Sequence, residues 1–126
     1  MFPFSFNHVA ISVKDVNVSV EFYRRVLKLE EIENTASNSK TRWLSLGEGK
    51  QLHLIPRLDD ITTNKAVHFA LAIEDISLFV NHLKTLHVDY SDWLGTPNKN
   101  YVRKDGIQQI YFQDPDKYWI EINNDI

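Results

Sequence analysis

The chain has 126 residues, 43% of them hydrophobic and 25% charged, with a formal net charge of -3. That size and balance suit one compact soluble domain with a real core, and the mild acidity, without any basic run, argues against nucleic acid or an anionic membrane as partner. There are no cysteines, which excludes disulfides, thiolate metal sites and a cysteine nucleophile.

The opening residues, Met1-Phe2-Pro3-Phe4-Ser5-Phe6, carry neither a basic n-region nor a long apolar stretch. No segment nears the roughly 20 apolar residues of a membrane span. A cytoplasmic location is therefore expected. Phe6 to Val13 alternates as a strand does, with Val9, Ile11 and Val13 on one face and His8, Ala10 and Ser12 on the other. Asp15 stands at an N-cap position, and Val16, Val20, Tyr23 and Leu27 then recur at helical spacing. After the polar stretch Asn34 to Ser39, a strand is predicted over Thr41 to Leu46. The turn Gly47-Glu48-Gly49 and a strand over Lys50 to Pro56 follow.

The pattern then returns. Val67 to Ile73 alternates, Asp75 takes the cap position, and ISLFVNHLKTLH reads as a helix. Sixty residues separate His8 from His68, Ala10 from Ala70, Asp15 from Asp75 and Val20 from Val80. A loop over Ser91 to Asn100 precedes a strand at Gln108 to Gln113, the turn Asp114-Pro115-Asp116 and a last strand at Tyr118 to Asn123. That end of the chain matches the first half at an offset of 68, which sets Glu121 over His53 and Tyr111 over Trp43. The fold class expected is α+β: one domain over 1–126 built from two tandem βαβββ modules, about 1–60 and 61–126, joined by Arg57 to Ala66.

Strand parity sets His8, His53, His68 and Glu121 on the faces opposite the most apolar ones. Each histidine alone reads more readily as a hydrogen-bonded strand residue than as a ligand, and Glu121 alone reads as a charge on a solvated face. Their joint placement at repeat-equivalent positions points to a shared divalent cation. Three imidazoles and a carboxylate suit zinc first, with nickel, cobalt, iron or manganese as alternatives, rather than oxygen-seeking magnesium. His82 and His87 read as surface residues. Parity also offers Trp43, Gln109 and Tyr111 as substrate-facing side chains, although aromatic packing explains Trp43 and Tyr111 as readily, and Arg103 as a loop cation able to reach an anionic group.

At these residues the chain resembles the vicinal oxygen chelate superfamily, which includes glyoxalase I, fosfomycin-resistance proteins, bleomycin-resistance proteins and extradiol dioxygenases. The resemblance covers nearly the whole chain. It rests on NHVAISVKDV with EFYRRVL, on LHLI, on VHFALAIED, and on QIYFQDPDKYWIEI. It implies paired modules with U-shaped sheets around a metal cleft, often completed by modules from two subunits, hence a homodimer. It assigns the metal ligands to His8, His53, His68 and Glu121. There are three departures. His53 stands where glyoxalase I has glutamate, Ser12 where it has an arginine, and Asp114-Pro115-Asp116-Lys117 where the family commonly has DPDG.

The resemblance implies a metal-dependent lyase or isomerase acting on a small oxygenated substrate, with the lone ligand carboxylate, Glu121, as catalytic base. Three alternatives are a metal-independent drug-binding protein like those of bleomycin resistance, a thiol transferase of the fosfomycin type with three ligands and His53 surplus, and a dioxygenase if iron binds.

Overall fold

The computed structural model describes residues 2–126. The chain divides into two compact units, one ending at Ile61 and the other starting at Thr62. The first runs β1 (His8–Val13), α1 (Val16–Val26), β2 (Glu31–Ile32), β3 (Arg42–Gly47) and β4 (Lys50–Pro56). Its sheet order is β1-β4-β3-β2, with β1 parallel to β4 and the other pairs antiparallel. The second runs β5 (His68–Ala72), α2 (Ile76–Thr85), β6 (Tyr101–Val102), β7 (Gln108–Gln113) and β8 (Trp119–Asn123). Its order is β5-β8-β7-β6, again with one parallel pair at the β5 edge. Each unit is a βαβββ module, and the fold is α+β.

Both helices start and stop by the same devices. The Asp15 carboxylate accepts from Asn17 N at 3.0 Å and Val18 N at 3.2 Å, and the Asp75 carboxylate accepts from Leu78 N at 3.2 Å. These bonds satisfy amides that a helix start leaves without partners. At the other ends Lys28 and His87 both take a left-handed conformation, each with φ of 56°. The chain then turns back through Leu29 N to Tyr23 O at 3.2 Å and Val88 N to Leu83 O at 2.9 Å.

The apolar faces do what their spacing predicts. Val20, Tyr23 and Val26 of α1 are buried with Leu44, Leu52 and Leu54 of the first sheet. In the second unit Ile76, Val80 and Leu83 are buried with Ile110, Phe112, Ile120 and Ile122, and Phe79 lies 5.9 Å from Phe112, ring to ring. Each such aliphatic side chain contributes roughly 1.5–3 kcal/mol of burial. Because strand residues alternate, the opposite face of each sheet carries the candidate chemistry.

Most element ends shift by a residue or two from the sequence reading, and two differences have a physical reason. The first strand starts at His8, not Phe6, because β4 pairing reaches only as far as Asn7 O, and Phe2, Phe4 and Phe6 are exposed. The short second-module strand lies at Tyr101–Val102, found by its pairing with Gln109 and Gln108. Two exposed residues are too few for a period-two signal.

Candidate metal centre

The same register recurs in both units. His53 of β4 lies opposite Ala10 of β1 and Trp43 of β3; Glu121 of β8 lies opposite Ala70 of β5 and Tyr111 of β7. A small residue on the parallel neighbour and an aromatic on the antiparallel one flank each central side chain. The duplication therefore extends to the candidate ligand positions.

In the second unit His68 and Glu121 meet, with His68 Nε2 3.3 Å from Glu121 Oε1. His68 Nδ1 donates to the Lys65 carbonyl at 2.9 Å, which leaves Nε2 as the atom turned to the carboxylate. Tyr111 OH donates to Glu121 Oε1 at 2.6 Å, while Asn123 Nδ2 and Gln109 Nε2 donate to Oε2 at 2.7 and 3.2 Å. Burial pushes the Glu121 carboxyl up. The bonds from Tyr111, Asn123 and Gln109, with His68 beside it, outweigh that and hold it below the ordinary carboxylate range. The Tyr111 hydroxyl is pushed up, first by burial and then by its bond to Glu121, and so keeps its proton.

In the first unit the rings of His8, His53 and Trp43 form one stack. His8 and His53 lie 4.0 Å apart at 13°, and Trp43 and His53 4.2 Å apart at 4°. His8 Nδ1 bonds Asn7 Oδ1 at 2.6 Å, so in both units the first-strand histidine turns Nδ1 to an oxygen and keeps Nε2 available. His53 Nε2 bonds Gln51 Oε1 at 2.8 Å. Burial, and then the neighbouring His8, lower the His53 pKa and favour the neutral imidazole that a metal requires.

The structure thus gathers His68, Glu121, Tyr111 and Gln109 in one group, and His8, His53 and Trp43 in another. Among the described residues no group of three or more His, Asp or Glu side chains suited to a metal forms. Arg103 is ion-paired to Asp105 in the turn before β7. Imidazole nitrogens and a carboxylate kept anionic are donors that suit a divalent first-row cation.

Sequence reasoning left Asn123, Gln51, Trp119 and Lys65 without roles. Strand parity could have found the first three, which share a face with Glu121 or His53. Lys65 lies outside any strand and carries no such signal. A cavity of about 490 Å³ beside Tyr111 and Trp119 is lined also by Tyr90, Asn98, Gln113 and Lys117, and by none of the four ligand candidates.

A family model described as the Glyoxalase/Bleomycin resistance protein/Dioxygenase superfamily matches residues 5–122. The chain belongs to that superfamily. It is 31% identical to "Glyoxylase I 4" of Arabidopsis thaliana over 95% of this chain and 70% of that relative. It is 28% identical to the "Metallothiol transferase FosB" of Staphylococcus epidermidis over 94% and 80% of the two chains. Among solved structures, "Oxidase ChaP-H2" aligns with a TM-score of 0.82 at 20% identity, covering 99% of this chain and 96% of that one. The fosfomycin resistance protein FosX of Listeria monocytogenes aligns with a TM-score of 0.78 at 23% identity, with the same coverage. These structural likenesses show the fold. No helix among the described residues is long and apolar enough to cross a membrane.

Proposed function

We propose that this superfamily member is a metal-dependent lyase or isomerase acting on a small oxygenated substrate, with His8, His53, His68 and Glu121 as ligands of one divalent cation, zinc first, in a homodimer. The observation that carries the reading is the second-unit pair. A buried carboxylate held anionic by Tyr111, Asn123 and Gln109, with an imidazole nitrogen 3.3 Å away, is arranged to receive positive charge. A bound divalent cation would supply Lewis-acid stabilisation of negative charge developing on substrate oxygens.

Glu121 is also the proposed base for a proton alpha to a carbonyl. The three donors that keep it ionised weaken it as a base, so the step requires Glu121 Oε1 to give up the Tyr111 bond as it takes the proton. The Trp43 ring is proposed to wall the substrate on one side and Tyr111 and Gln109 on the other, with Arg103 meeting an anionic group once it leaves Asp105. Turnover of α-hydroxycarbonyl substrates in deuterated water tests this reading. Deuterium should enter at the α-carbon with the metal-loaded parent and not with Glu121→Gln; a Glu121→Gln protein with its metal bound and full exchange refutes the base role.

A second reading is favoured by the stack in the first unit. His53 lies between His8 and Trp43 with Nε2 committed to Gln51, which suits a neighbour that braces His8. His8, His68 and Glu121 alone would then bind the metal, and the chemistry would be transfer to an electrophile, as the name of the FosB relative suggests. Metal content in His53→Ala separates the two: retention favours the three-ligand reading, loss the four-ligand one.

A further inference from the structure

Lys65, in the segment ahead of β5, is placed in an unusual way. Its ammonium lies 4.4 Å from the ring centre of Trp119, 5.2 Å from that of Tyr111 and 5.5 Å from that of Trp93. The same Nζ donates to the carbonyls of Asp92 at 3.0 Å and Trp93 at 2.8 Å. Aromatic faces and carbonyl oxygens thus take the place of part of the water a lysine normally keeps. The acceptors are themselves anchored, since the buried Asp92 carboxylate takes the Thr96 amide at 2.8 Å.

The backbone of this residue meets the site. Val67 N donates to Asn64 O at 2.8 Å and Ala66 N to Asn64 Oδ1 at 2.9 Å, forming a tight turn around Lys65. From that turn the Lys65 carbonyl accepts His68 Nδ1–H at 2.9 Å. Two walls of the ammonium's enclosure belong to the same site: Trp119 is the register partner of His68, and Tyr111 holds Glu121.

We propose that Lys65 is a positioning residue for His68: its ammonium, locked among Trp93, Tyr111 and Trp119, pins the Asn64–Val67 turn so that the Lys65 carbonyl fixes Nδ1 and His68 Nε2 is presented to Glu121. A solvated lysine would leave the turn tethered only by its own local bonds, and the imidazole free to rotate. The consequence for metal affinity rests on the reading of His68 as a ligand; the orientation of the ring does not.

The test uses the full chain with ¹⁵N-labelled histidine, as parent, Lys65→Met and Trp93→Leu. Methionine fills the enclosure without the charge, and Trp93, 45% exposed, is a position where leucine leaves the core intact. In the metal-free parent the His68 Nδ1 proton should be observable by NMR and slow to exchange. Lys65→Met should lose it to solvent exchange, and Trp93→Leu should shorten its lifetime. If Lys65→Met does not fold, Lys65→Gln takes its place, because the Trp93 ring also lies 6.0 Å from that of His68 and Trp93→Leu alone does not isolate the lysine; protection equal to the parent in the folded Lys65 variant overturns the proposal. Zinc titration of the same proteins should show roughly tenfold weaker binding in Lys65→Met, the usual effect of losing an outer partner of a ligand histidine. Should His68→Ala bind zinc as the parent does, the ligand reading fails, while the proton measurement still decides the role of Lys65.

Discussion

At Glu121 the balance between burial and hydrogen bonding sets the chemistry. Tyr111→Phe removes the shortest of its donors while preserving the ring that packs against His68. The Glu121 carboxyl should then titrate at higher pH in ¹³C NMR, and stability near neutrality should fall by about 2 kcal/mol, as expected for a lost bond to a charged group. A second carboxylate gives a pH signature away from the site. Glu31 receives both Nε and Nη2 of Arg42 at 2.7 Å, and Arg42 Nη1 reaches Asn17 Oδ1 at 2.7 Å. The Arg42 hydrogen bond is the main reason the Glu31 pKa is lowered. A depressed carboxylate stabilises the fold above its unfolded-state pKa, and the contribution disappears as pH falls through the folded value. Glu31→Gln should therefore cost about 1 kcal/mol in denaturant melts near pH 7, and about nothing near pH 2.

At the element scale, caps and turns carry independent expectations. Asp15 accepts two amides of α1 where Asp75 accepts one of α2. Asp15→Ala should cost about 1 kcal/mol in thermal melts, and at least as much as Asp75→Ala. Lys117, where the family's common turn has glycine, sits at φ of 72° with its amide bonded to Asp114 O at 3.0 Å. Lys117→Gly should stabilise by about 0.5–1 kcal/mol, because a side chain there carries left-handed strain that exceeds the backbone entropy glycine adds. These elements were legible in the sequence because cap residues, the 3.6 period and two-residue alternation are local signals. Strand β6 was not, since nothing in Tyr101-Val102 distinguishes a two-residue strand from loop. For the site, parity put Trp43 and Tyr111 on the faces of His53 and Glu121, where the registers hold them. Nothing local revealed the His8–His53–Trp43 stack or Lys65, because stacking and enclosure depend on residues remote in the chain.

For the whole molecule, the duplicated registers show one module used twice, with the candidate ligands at matching positions in each copy. Each copy supplies a first-strand histidine with Nε2 available, a central-strand partner and an aromatic beside it. The copies diverge at that partner, imidazole in one and carboxylate in the other, and at the aromatic, Trp43 in one and Tyr111 in the other. Homodimer assembly, which the superfamily resemblance implies, should appear in analytical ultracentrifugation as a single species of twice the 14.8 kDa chain mass. The most direct measurement of the central claim is elemental analysis of protein purified without chelator, on the parent and on Glu121→Gln and His68→Ala. A stoichiometric divalent first-row metal in the parent, and markedly less in both variants, is the expected result; a metal-free parent that also fails to take up zinc, or variants that retain it fully, would contradict it.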